Sequence, residues 1–177
     1  FSQNLVSVDT IILAADSENT IMNGLNAERY PAEFAGGLGD AGIENLKKFV
    51  ENGGRLVCFD DSCELVIKRF GLPMKNVVAG VRRNEFYNPG SIVKLDVDVA
   101  NPLARGLLAE TPAYFTTSSA FEITDGSKVT TVAKYAGKDA LMSGWMLGEK
   151  FINGKAALVE APYGKGSIIL FAFRAQH

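Results

Sequence analysis

Apolar and polar positions along the chain change rhythm several times, and each rhythm predicts an element. Residues 7–15, SVDTIILAA, are a short continuous apolar run rich in β-branched side chains, which predicts a strand buried on both faces. The polar DSENT ends it. IMNGLNAERYPAEFAGGLG follows, and with Pro31 and the Gly36-Gly37 pair it reads as loop with a helical turn. From Asp40 the period becomes helical: Ile43, Leu46, Phe49 and Val50 share one face, and Lys47, Lys48 and Glu51 the other. This predicts a helix over 40–52, closed by Gly53-Gly54. RLVCF (55–59) is a second buried strand, after which Asp60, Asp61 or Ser62 caps a helix over 62–70 that stops at Gly71 and Pro73.

Beyond Pro73 the pattern is different. SIVKLDVDV (91–99) alternates like a half-buried strand, NPLARGL reads as a helical turn, and AYFTTSSAFEI and KVTTVAKYA each read as a strand. KAALVEAPYGKGSIILFAF predicts a hairpin, with strands at 155–161 and 166–173 joined across a Tyr163-to-Gly166 turn. Strand, helix, strand, helix with short links predicts an α/β fold whose parallel strands, at 8–15 and 55–60, are covered on both faces.

Composition narrows the function classes. With 177 residues, 47% of them hydrophobic and 21% charged, the chain fits one globular domain. A net charge of -2 and the lack of a Lys/Arg stripe argue against nucleic acid as a partner. The longest apolar run, SIILFAF, is far too short to span a bilayer, so no membrane partner is expected. Two cysteines make no disulfide framework and no zinc ribbon. Both are expected as free thiols, a weak lean toward a reducing compartment. The chain opens on FSQNLVSVDT without a Met and stops just after an apolar strand, and it reads as a fragment of a longer protein.

Chemistry is scarce. The one histidine is His177, so a catalytic zinc site built on two or three imidazoles cannot be written, and no metal is expected in this chain. AGGLGDAG precedes a helix but does not follow a buried strand directly, and no GK[ST] accompanies it, so its glycines read as turn formers. The strand-to-helix passage LVCFDDSCELVIKRFG has the layout of a nucleophile elbow, with Ser62, Cys63 or Cys58 to choose from. Such elbows place Gly on either side of the nucleophile and need a base within reach. Neither Asp61 nor Cys63 has a Gly neighbour, and Cys58 falls inside the strand. The simpler reading is an N-cap at Asp61 or Ser62 and two packing thiols.

The stretch from Glu33 to Pro73, together with NPLARGL, YFTTSSAFEI and VEAPYGKGSIILFAFRAQH, resembles a degenerate class I glutamine amidotransferase-like domain. Such domains are found at the C-terminal end of large bacterial zinc carboxypeptidases. The resemblance covers residues 30 to 177 and is most specific in GGLGDAGIENLKKFVENGG and APYGKGSIILFAFRAQH. It implies a doubly wound, mostly parallel flavodoxin-like sheet with helices on both faces and a C-terminal β-hairpin. Active members carry a Gly-x-Cys-x-Gly elbow after the strand that here is RLVCF, and a His-Pro-Glu run after the last strand. Here the elbow falls near Asp61, Ser62 and Cys63, and Arg174, Ala175 and Gln176 stand where the base would be, with His177 three residues on. Nucleophile and base are both replaced.

Three functions follow as expectations. The first is a non-catalytic accessory domain whose partner is the peptidase domain of the same polypeptide. That domain, with its His-x-x-Glu and distant-His zinc site, is absent here, and so is the zinc; the parent would be periplasmic or extracellular. The second is a hydrolase with an altered site, using Asp61, Ser62 or Cys63 with His177. The third is a module binding a small molecule, a sugar or a peptide. Ligands of open α/β sheets bind beyond the carboxyl ends of the strands, which here would carry Asp16, Asp60, Asp61 and Arg174.

Overall fold

The computed structural model describes residue 5 and residues 7–175, and His177 lies outside them. The first half runs β1 (Thr10–Leu13), α1 (Glu18–Asn23), α2 (Gly39–Glu51), β2 (Arg55–Phe59) and α3 (Ser62–Phe70). The second half is β3 (Met74–Asn76), β4 (Ser91–Val97), β5 (Glu110–Phe115), β6 (Phe121–Ile123), β7 (Thr130–Tyr135), β8 (Leu141–Gly144), β9 (Ala156–Tyr163) and β10 (Gly166–Phe171). The main path of the sheet is β1-β2-β10-β9-β7-β4-β5; β6 joins β3 to β9, and β8 pairs with β4.

The α/β class holds, and RLVCF is an inner strand, parallel to β1 on one side and to β10 on the other. From β9 onward the pairs are antiparallel, so the sheet is mixed, and parallel pairing is confined to β1, β2 and β10. The links between these later strands carry no crossover α-helix, and a parallel pair needs a long crossover. The β9–β10 hairpin turns through Gly164 at φ +60, against α2: a Cβ there would lie 2.5 Å from the Glu51 Cα.

Register fixes which face is covered. Leu56 and Cys58 of β2 pair with Ile168 and Leu170 of β10, and all four are fully buried. They lie on the helix side, where α2 packs on β2 and β10, α3 packs on β2, and α1 bridges α2 and α3. The opposite face carries Val57, Phe59 and Phe171, only half-buried, and Ile12 at 59% exposure. Helices expected on both faces therefore lie on one face among the described residues. The β1–α2–β2 unit is a parallel crossover, and the Arg69–Asp40 ion pair (3.1 Å) ties α3 to α2 on the same side.

Three local differences have clear causes. Glu18–Asn23 is helical because the Ser17 hydroxyl accepts from Thr20 N at 3.1 Å, so the polar DSENT starts a helix as well as ending a strand. AYFTTSSAFEI is not one strand: Thr117 sits at φ +51 and breaks it into β5 and β6. β3 and β8 are too short to leave a period in the sequence.

The break between β5 and β6 is pinned from below. Tyr135, fully buried, donates its hydroxyl to Ser119 O at 2.8 Å, and Ser119 N donates to Ala172 O at 2.7 Å. Tyr135→Phe keeps the ring but strands that carbonyl, so urea denaturation is expected to show a loss of about 1–3 kcal/mol. A change within error would remove this bond from the account.

Candidate functional site

At the end of β2 the chain must leave the sheet and start α3 at once. Asp60 makes the turn in the left-handed region, at φ +52, while its N–H still donates to Phe171 O of β10 at 2.8 Å. Cys63 N then closes back on Asp60 O (3.0 Å) and Glu64 N on Asp61 O (3.2 Å). The left-handed conformation costs an L-residue roughly 1–2 kcal/mol, and Asp bears it better than most. The elbow residue is thus Asp60, one position before the resemblance placed it, because Asp61 is already helical at φ -59 and ψ -29.

Asp60 is 1% exposed, and two segments from far along the chain hold its carboxylate. Ser118 Oγ donates to Oδ2 at 3.1 Å, and Arg174 Nε reaches the same oxygen at 3.3 Å. Arg174 is anchored in turn through its N–H to Tyr114 O. Oδ1 is buried with no hydrogen-bond partner among the described residues. Burial, helped by the charge of Asp61, pushes the Asp60 pKa up to about 6, against the pull of Ser118 and Arg174. A buried acid held by a serine and one guanidinium nitrogen is a strained, closed arrangement.

The other expected residues can be placed. Asp61 occupies the N-cap position but its side chain makes no capping bond; it is exposed, with Asp16 and Arg174 near enough to act on its charge. Ser62 is not the side-chain cap of α3 either. Its buried hydroxyl turns back to the sheet, accepting from Phe59 N (3.0 Å) and donating to Phe59 O (2.8 Å) or Leu13 O (3.2 Å). The tight turn at Asp60 already closes the first helical N–H groups, so no side chain is needed there. Cys63, fully buried, holds its S–H between Phe171 O (3.3 Å) and Cys58 O (3.4 Å). Burial raises the pKa of both thiols, so neither supplies a thiolate at neutral pH. Asp16, Asp60, Asp61 and Arg174 do meet at the carboxyl edge, but Asp60 is sealed under it. His177 lies outside the described residues.

Beside the elbow opens a pocket of about 700 Å³, within the range of small-molecule sites. Asp61, Glu64 and Lys68 of the α3 side form one wall, and Val78, Phe86, Asn88, Pro89 and Ser118 form others. Glu64, Asn88, Thr117 and Ser118 were not singled out from the sequence. The available signals were the Asn88-Pro89-Gly90 turn and the polar TTSS run inside an otherwise apolar strand pattern. Among the described residues no group of three or more His, Cys, Asp or Glu is arranged to hold a metal ion. No described helix is long and apolar enough to cross a membrane.

No family model matches the sequence, and no curated protein matches it. Solved structures do match in fold. A cytoplasmic protein from Salmonella typhimurium LT2 is similar at TM-score 0.57 and 16% identity, over 97% of this chain and 63% of that one. A glutamine amidotransferase from Thermotoga maritima is similar at TM-score 0.54 and 10% identity, over 98% of this chain and 58% of that one. A putative ThuA-like protein from Bacteroides uniformis ATCC 8492 is similar at TM-score 0.51 and 14% identity, over 93% and 59%. The chain thus spans about three-fifths of each of these structures. The fold is a flavodoxin-like α/β fold, which the chain shares with these proteins.

Two measurements check the site. The folded-state pKa of Asp60 lies above that of an exposed aspartate, so the protonated carboxyl favours the fold. Its contribution is full below about pH 4 and is lost as the pH rises through about 6. Asp60→Asn removes that dependence. Its stability relative to the unmodified chain should therefore rise by up to roughly 3 kcal/mol from pH 4 to pH 7 in urea titrations. A pH-independent difference would show that Asp60 titrates normally. Separately, iodoacetamide at neutral pH should label Cys58 and Cys63 far more slowly than a model thiol, and only as the chain opens. Labelling of native Cys63 ahead of the model thiol would restore it as a nucleophile.

Proposed function

We propose that this chain is a non-catalytic accessory domain of a larger polypeptide, keeping the amidotransferase-like fold to pack and to bind rather than to hydrolyse. The observation that supports this best is the elbow. In a working elbow the left-handed residue projects its side chain toward substrate. Here Asp60 occupies that conformation, and its carboxylate points inward onto Ser118 and Arg174 at 1% exposure. A group so enclosed has no access to a substrate atom, and Ser62 and both thiols are buried as well. The altered-site hydrolase is accordingly the weaker alternative.

The parent enzyme in this proposal is the bacterial zinc metallocarboxypeptidase that the sequence resemblance implies, exported to the periplasm or beyond. Its peptidase domain is the partner in the same polypeptide and holds the zinc. The pocket beside Asp61 favours a binding role within the accessory one, for a small molecule or a peptide.

The purified chain is expected to turn over neither glutamine nor a C-terminal peptide bond, with or without added zinc. Turnover that disappears in Asp60→Ala or Cys63→Ser would sink the proposal. Deleting the domain from the full-length polypeptide should lower the stability of the remainder; a remainder of unchanged stability would argue against the accessory role.

A further inference from the structure

We infer that Arg83, Tyr87 and Trp145 form a binding shelf at the pocket for a carboxylate with a flat apolar body. The inference rests on the binding role proposed above and names the chemistry of its ligand. Trp145 is the chain's one tryptophan, and at 53% exposure it lies outside the core. One exposed ring needs no explanation by itself. Its setting does: Met142 and Leu147 beside it in the chain are exposed too, and its ring centroid lies 5.9 Å from that of Tyr87, which lines the pocket.

The segment that carries Trp145 is clamped. Ser91 Oγ accepts from Trp145 N (3.1 Å) and donates to Trp145 O (2.8 Å). Two residues on, Tyr87 N donates to Leu147 O (3.1 Å) and Leu147 N to Tyr87 O (2.9 Å). Gly148, at φ +78, then brings the chain so close to Glu85 O that a Cβ would not fit. These bonds fix the backbone of an aromatic residue that stays half in solvent. An anchor ordered in advance loses little entropy when a ligand arrives, and Trp and Tyr are the usual anchors of binding surfaces.

Arg83 selects the charge. It is exposed, lines the pocket with Tyr87, and holds its guanidinium 4.1 Å from the Tyr87 ring centroid. Among the described residues it enters no ion pair, whereas its neighbour Arg82 takes Glu85 (3.0 Å). The pocket's other cation, Lys68, is shared by Glu18 (3.2 Å) and Glu64 (3.3 Å). A guanidinium on an aromatic ring keeps its N–H edge for a planar acceptor with two oxygens. One carboxylate matches one guanidinium in charge and shape. A phosphate dianion would want a second free cation, and the pocket's Asp61 and Glu64 disfavour it. The apolar body is left to Tyr87, Trp145 and the Pro89 wall of the pocket. A free organic acid and the last residue of a peptide share this chemistry, and separate probes tell them apart.

The test is a fluorescence titration of the whole chain, in which Trp145 is the one indole. The probes are hydrocinnamate, its amide, phenylpropylamine, inorganic phosphate and methyl glucoside, with acetyl-Ala-Phe as free acid and as amide. Hydrocinnamate should shift the emission saturably, at a half-saturating concentration tenfold or more below those of its amide, the amine, phosphate and the glucoside. Tighter binding of the peptide acid than of hydrocinnamate would identify a peptide C-terminus, and weaker binding a free acid. Arg83→Gln removes the charge and should weaken hydrocinnamate tenfold or more while leaving its amide unchanged. Trp145→Ala, followed by calorimetry, should weaken both. Arg105→Gln, exposed on the loop between β4 and β5, should alter neither. Arg83 and Trp145 are both exposed, so their variants keep the fold.

The inference is overturned if hydrocinnamate does not bind, or if a neutral or cationic probe or phosphate binds as tightly. It is equally overturned if Arg83→Gln or Trp145→Ala binds hydrocinnamate like the unmodified chain. The non-catalytic reading fails in a different way: the ¹H spectrum of an amide or peptide probe would show it being hydrolysed. An intact probe that does not bind overturns the ligand and leaves that reading standing.

Discussion

The structure is organised around one backbone turn, the left-handed Asp60 at the end of β2. To go from the middle of the three parallel strands into a helix on the sheet's face without a linker, the chain must reverse within a residue or two. A single positive φ achieves this. The turn stays in register because Asp60 N–H remains bonded to Phe171 O of the neighbouring strand. It therefore closes the β2–β10 pairing and launches α3, whose Cys63 S–H rests against the same Phe171 carbonyl. An aspartate here meets the conformational demand but creates another, since a carboxylate inside the protein needs partners.

Those partners draw the rest of the chain together. Ser118 comes from the break between β5 and β6, where Thr117 takes a second positive φ, and Arg174 comes from just beyond β10. β-branched residues rarely adopt that conformation, and Ser118, the neighbour of Thr117, bonds to the other positive-φ residue at this edge, Asp60. Breaking the β5–β6 run also points Ser119 down to Tyr135 and Ala172. The antiparallel half is thus tied to the parallel half through the elbow as well as through β9.

How much of this was legible follows from the length of each signal. β2, α3, α2 and the β9–β10 hairpin were readable because continuous apolar runs and a 3.6-residue period survive in the sequence. β3 and β8, with three and four residues, leave no period. The split of residues 113–123 depends on a tertiary bond to Asp60 that no local pattern records. At the site, the carboxyl-edge rule pointed to Asp16, Asp60, Asp61 and Arg174, which the structure places near one another. It could not say that Asp60 faces inward while Asp61 faces out. That division turns on which of two adjacent aspartates takes the positive φ, and the pair DD reads the same either way. Glu64 and Asn88 were invisible for a different reason: each is an ordinary helix or turn residue until the other wall of the pocket faces it.

The elbow and the pocket share Ser118 but are otherwise built from different parts: the first from the end of β2 and Arg174, the second largely from α3 and the irregular segment between β3 and β4. A carboxylate clamped inside the elbow removes a reactive group from the edge and rigidifies the floor. The neighbouring pocket wall, with Glu64 in the first turn of α3, is built separately from it.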